Sequence, residues 1–195
     1  MAIVDEEGRV LVKLVIFGDS TPVGFLGSLH QVLRNSNASE VFTDGDDFWR
    51  FSTFTVRLRS ESSSPLTIYL FAHEGFGFPG TKTKNIKKVF SGTDAIIALF
   101  SPDREVSDVA SQIETMVRCA TQKLDAKMAF DQFSTVAVGV GAPFWSESAR
   151  TDLTTWAGKM GATVVWVGGD VTDTFGAFDA ATKLVLRRLE RNKAV

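Results

Sequence analysis

Apolar residues fall along this chain in two alternating kinds of run. Short, nearly continuous stretches rich in β-branched residues occur at residues 9–17 (RVLVKLVIF), 94–100 (DAIIALF), 135–140 (TVAVGV) and 163–167 (TVVWV). Such runs suit strands covered on both faces of a mostly parallel sheet. Between them the apolar residues recur at helical spacing. Phe25, Leu26, Leu29, Val32 and Leu33 follow the first run, and Val106, Val109, Ile113, Met116 or Val117, Ala120 and Leu124 follow the second. A helix over 149–160 follows the third, and one over 174–191, with Phe175, Phe178, Leu184 or Val185 and Leu189 on one side, follows the fourth.

One region breaks this alternation. A polar loop, Asn35 to Asp47, leads into FWRFSTFTVRLRS, where Phe54, Val56 and Leu58 alternate with Thr55, Arg57 and Arg59. Period two with one polar face predicts a half-exposed strand, antiparallel or at an edge. ESSSP then reads as a hairpin turn, LTIYLFA (66–72) as the partner strand, GFGFPG as a loop, and the residues up to about Phe90 as a short basic helix. The whole pattern predicts a three-layer α/β fold: about six strands in a mostly parallel sheet with one antiparallel edge strand, and about five helices. No linker or repeat divides the chain, so residues 1–195 are expected to form a single domain.

Composition narrows the class. Of the 195 residues, 44% are hydrophobic and 23% charged, as in a globular protein rather than a disordered or membrane-embedded one. No apolar run reaches the roughly 18 residues of a membrane span. The acidic start MAIVDEEGRV lacks a basic leader, which makes a cytoplasmic location the expectation. A net charge of −2 gives no bulk attraction to nucleic acid. The basic run KTKNIKK (82–88) reads first as a solvated helix face, and otherwise as a contact for an acidic partner or a membrane surface. The single cysteine, Cys119, reads as a buried structural thiol.

Little supports enzyme chemistry from these residue types. Only His30 and His73 are present, too few for a zinc cluster. His73 and Glu74 with one of Ser62 to Ser64 or Ser101 would make a hydrolytic set, but no G-x-S-x-G elbow accompanies them. Asp94, Asp103 and Asp108 could hold a metal, although Asp103 in SPDR suits a turn and Asp108 a first helical turn. A Rossmann fingerprint is missing as well. No metal site is expected.

The stretch VIFGDSTPVGFLGSL (15–29) has the outline of a phosphate-binding loop between a strand and a helix. Together with LTIYLFAHEGFGF, GTDAIIALFSPD and the closing VGGDVTDTFGAFDAATKLVLRRLE, and with the hairpin between the second and third strands, it resembles the Ras-like small GTPases. Within them the chain is most similar to the bacterial MglA-type polarity and gliding-motility GTPases. That resemblance implies the small-GTPase fold and places a vestigial nucleotide site at Gly18, Asp19, Ser20, Thr21, Gly24, Phe25 and Leu26, with Thr43 and Gly75 from the two switch regions.

The residues that would run the chemistry are replaced. In a P-loop, backbone N–H groups wrap the phosphates, a Lys reaches the β- and γ-phosphates, and a Ser or Thr hydroxyl holds Mg²⁺. Here Phe25 stands at the Lys position and Leu26 at the hydroxyl position; the glycine spacing is one residue longer, Asp19 adds negative charge, and Pro22 removes a donor. Gly75 is followed by Phe76 where a water-positioning Gln is implied, and VAVGVGAPF offers no Asn or Asp for a guanine base. Thr43 could in principle coordinate Mg²⁺, but in its Asp-rich surroundings it reads as a cap or turn residue.

The expectation is therefore a pseudoGTPase with no cofactor and no catalytic residue, acting as a protein interaction module. The alternative is an atypical GTPase that holds GTP or GDP with Mg²⁺ through a remodelled loop. Trp49, Phe76 and Phe78 beside the switch-like loops are the first interface candidates, and Phe144 with Trp145 the second, able also to cover the emptied guanine pocket. By resemblance the partner is a roadblock or longin-type regulator. Asp19, Ser20 and Thr21 are expected to fill the pocket with their own hydrogen bonds.

Overall fold

A computed structural model describes residues 3–4, 10–19, 39–46, 49–56, 66–72, 87 and 90–168, with Gly176, Ala180, Lys183, Leu184 and Arg187 in helical conformation beyond them. Among these the strands are β1 (Ile3–Val4), β2 (Val10–Gly18), β3 (Ser39–Asp46), β4 (Trp49–Val56), β5 (Leu66–Ala72), β6 (Ala95–Phe100), β7 (Ser134–Val140) and β8 (Thr163–Val167). The helices are α1 (Val106–Thr121), α2 (Ala126–Phe130) and α3 (Glu147–Met160), with a 3₁₀ turn at Ala142–Phe144. One sheet holds all eight strands, in the order β3-β4-β5-β2-β6-β7-β8, and β1 adds to β2. The pairs β5-β2, β2-β6, β6-β7 and β7-β8 are parallel, whereas β3-β4, β4-β5 and β1-β2 are antiparallel. The molecule is thus α/β with a parallel sheet at its centre.

The apolar runs of β2, β6 and β7 form strands covered on both sides, whereas β8, at the sheet's edge, is only half-buried along most of its length and is not the doubly covered strand its sequence suggests. On one face Val15, Phe17, Ile96, Ala98, Phe100 and Ala137 pack with α1, α2 and α3. On the other, Leu14, Ile16, Ile97, Val136 and Val138 are equally inaccessible to solvent. At roughly 1.5–3 kcal/mol for each large side chain withdrawn from water, these strands are the main source of stability. Helix α1 contributes the stripe Val106, Val109, Ala110, Ile113, Met116 and Val117, the i, i+3, i+4 spacing read in the sequence. Trp156 of α3 closes the layer: its ring meets Phe130 edge-on at 5.8 Å and Phe100 at 5.0 Å, and its indole N–H donates to Glu114 at 2.8 Å.

The caps set the helix ends. Asp125 accepts from the Met128 N–H to start α2, and Ser146 accepts from the Ala149 N–H to start α3. Gly161 ends α3 in the left-handed region at φ 71°. Gln122 does the same for α1 at φ 60°, an uncommon conformation for a residue with a Cβ.

Four sequence expectations change. The polar segment expected to loop as far as Asp47 contains β3, so β4 is not the sheet's edge; Ser, Asp, Gly and Glu dominate β3 and hide it from any reading by propensity. Thr43 pairs with Ser52 within that strand and is not a turn residue. Helix α1 stops at Thr121, which leaves Leu124 off the apolar stripe and 95% exposed. Cys119, two positions past buried Val117, lies on the outer side of α1 and is exposed rather than structural. The expected helices near 25–33 and 174–191 and the hairpin turn ESSSP lie largely or wholly outside the described residues.

Candidate functional site

In an open parallel sheet, ligands gather outside the carboxyl ends of the strands, where successive connections leave in opposite directions. Here that point lies between β2 and β6: the chain runs from β2 toward β5 on one side, and from β6 to β7 and β8 on the other. Gly18 ends β2 opposite Leu99, and the Asp19 N–H continues the ladder by donating to the Leu99 carbonyl at 3.0 Å. Gly18 has φ 137°, and a Cβ there would overlap the Leu99 carbonyl oxygen and lie 2.7 Å from its nitrogen. Only glycine allows the two chains to approach so closely at that φ.

This backbone path delivers the Asp19 carboxylate to the crevice. The Ser101 hydroxyl, on the first residue after β6, donates to one of its oxygens. Arg104, in the turn before α1, places a guanidinium nitrogen 4.0 Å from the other. Ser101 is 1% exposed, so its hydroxyl depends on this acceptor rather than on water. Asp103 of the same turn is exposed. The crevice thus carries a carboxylate already engaged with a hydroxyl and an arginine. A phosphate placed there would meet negative charge and compete for both groups, and the sequence supplies neither the Lys nor the Mg²⁺ hydroxyl that would offset this. These residues do not fit a magnesium–triphosphate.

The end of β7, where the resemblance implies a guanine-reading motif, is packed with aromatic and basic groups. Trp145 is buried, donates its indole N–H to the Val140 carbonyl at 2.7 Å, and meets Trp166 edge-on at 5.1 Å. Arg150 lies over the Trp166 ring at 4.7 Å and also donates to the Ala142 carbonyl. Gly139 makes room for this cluster, since a Cβ there would run into the Trp166 ring. Trp145 is therefore a core residue, not the surface contact expected of it. Its neighbour Phe144 is 79% exposed.

The remaining candidates separate. Trp49 opens β4 opposite Asp46, at the end of the β3-β4 hairpin. Ser20, Thr21, Gly24, Phe25, Leu26, Gly75, Phe76, Phe78, His73 and Glu74 lie outside the described residues. Asp94 sits just before β6 and accepts from the Lys13 backbone N–H at 2.9 Å, whereas Asp103 and Asp108 lie beyond that strand's other end, so the three share no site. Burial lowers the pKa of Lys13 at this amino-terminal end of the sheet, with Asp94 opposing the shift. Sequence reasoning missed Arg104, Arg150 and Trp166. A cation straight after a strand-ending S-P-D turn was the available signal for Arg104, while the other two carried none. No protein-family model matches this chain, and no curated protein matches it.

Proposed function

We propose that the protein is a non-catalytic member of the small-GTPase-like class, a pseudoGTPase that acts as a protein interaction or regulatory module. The observation that carries the reading is the Asp19 carboxylate at the β2-β6 crevice, engaged by Ser101 and Arg104 where a nucleotide's phosphates would need free donors. The run β4-β5-β2-β6-β7-β8, in which β4 alone is antiparallel to its neighbour in the run, supports the class. With no γ-phosphate to sense, the surface around the crevice stays in one state and binds its partner constitutively. By resemblance, that partner is a roadblock or longin-type regulator in a bacterial polarity, motility or signalling complex, contacted through the switch-like loops.

A second reading rests on Arg104. Its guanidinium beside the crevice supplies a cation, and a retained GTP or GDP would use it in place of the missing Lys. Heat release and chromatography of the purified protein, with thermal melts in GTP, GDP and ATP plus Mg²⁺, separate the two. The module reading expects no bound nucleotide and no shift; co-purified guanine nucleotide, or a rise of several degrees, overturns it.

A further inference from the structure

Three large apolar side chains are exposed among the described residues: Phe144, Leu124 and Met128. Leu124, just before the Asp125 cap, and Met128 in α2 stand four residues apart, 95% and 58% exposed. Beside Leu124 is a concavity of about 330 Å³ lined by Lys87, Arg118 and Lys123 together with Thr115, Cys119 and Gln122. Among the described residues three cations and no acidic residue line it. Among the described residues the shielded Arg118 Nε has no hydrogen-bond partner, and its Nη1 makes a long 3.4 Å contact with the Leu124 carbonyl. Lys87 also belongs to the basic run KTKNIKK.

Cations around a hollow call for an anion, and fully exposed Leu beside them calls for an apolar phase. Both demands are met together where phosphate headgroups adjoin acyl chains. We infer that this face docks onto an anionic phospholipid surface, with Lys87, Arg118 and Lys123 on headgroup phosphates and Leu124 and Met128 at the acyl boundary. Asp125 caps α2 by accepting from the Met128 N–H but keeps its charge, so it offsets part of the attraction of the three cations, whereas Asp131 pairs with Lys127. The face lies at the carboxyl end of α1, while Arg104 lies just before its amino end. A helix of 16 residues separates them by roughly 24 Å. The docked molecule therefore holds the β2-β6 crevice away from the membrane, open to a partner. This inference stands on its own observations, independent of whether nucleotide is bound.

The test is co-sedimentation of the full chain with vesicles of phosphatidylcholine alone and of phosphatidylcholine with about one third phosphatidylglycerol, at low and high salt. Binding is expected only to the anionic vesicles and is expected to fade with salt. Arg118→Gln with Lys123→Gln should weaken it by about 25-fold, at roughly fivefold per cation. Leu124→Ser with Lys123→Gln, both at exposed positions, should weaken it comparably and provides a folded comparison if the Arg118 change unfolds the chain. Equal binding to neutral vesicles, no binding to anionic ones, undiminished binding by the folded variants, or full competition by inorganic phosphate at matched ionic strength would each overturn the proposal.

Discussion

The hydroxyl of Ser101 donates to the carboxylate of Asp19 across a separation of 82 positions in the chain, joining the carboxyl ends of two adjacent parallel strands. The bond spans the crevice between the ends of β2 and β6.

Asp19→Ala should leave the buried Ser101 hydroxyl without its acceptor and cost about 1–3 kcal/mol. Ser101→Ala removes the donor but leaves a carboxylate that water and Arg104 still reach, so it should cost less, about 1 kcal/mol. The double variant should fall short of the sum because the two share one interaction. Urea unfolding of the four proteins measures this; strict additivity would show that the pair is not coupled.

Gly18→Ala should be among the most damaging single changes in the sheet. The new methyl group meets the backbone of Leu99, not a movable side chain, in a conformation that alanine avoids. A loss of about 3 kcal/mol or more is expected. A thermal midpoint within a few degrees of wild type would contradict this.

Adjacent aromatics should behave in opposite ways. Trp145→Ala empties a buried site against Trp166 and should cost about 3–5 kcal/mol. Phe144→Ala removes an exposed ring and should change stability by no more than about 0.5 kcal/mol. If the crevice edge binds a partner, only Phe144→Ala gives a folded protein that loses capture of it.

Lys13 gives the molecule a distinctive response to alkali. Burial lowers its pKa below the ordinary 10.5, so over the interval between the lowered value and 10.5 the unfolded chain binds more proton than the folded one. Stability from this group therefore rises with pH across that interval, as the cost of burying its charge disappears. In urea titrations at neutral pH and at pH 10.5, wild type should gain on Lys13→Met as pH rises. A constant gap between the two would show that the ammonium is not desolvated.

Elements whose environment is uniform along their length were legible in the sequence. DAIIALF became β6 at Ala95–Phe100 and TVAVGV became β7 at Ser134–Val140, because continuous burial selects β-branched and apolar residues whatever the neighbours are. β3 was not legible, since its partner β4 supplies the pairing that its own Ser, Asp and Gly residues do not favour. Cys119 and Leu124 were misread for a related reason: a helical stripe reports phase but not where the helix stops, and the stop lies in the left-handed turn at Gln122. In the crevice, Asp19 was visible as an acid in an unexpected place. Its bond to Ser101 depends on strand order, which no local window contains.

The place of β2 has a consequence for how the chain reaches this fold. β2 is the second strand to be synthesised, yet it is the middle of the sheet and pairs in parallel with β5 on one side and β6 on the other. Among the described residues its only early partner is the two-residue β1. Val12 to Phe17 must therefore emerge from the ribosome as an apolar segment with both edges open, and wait until Phe100 has followed before its ladders can close. Parallel pairing over such distances is slow, and open apolar strands associate with one another. Of all the segments in the sheet, this one has the greatest need of shelter while the chain is still being made.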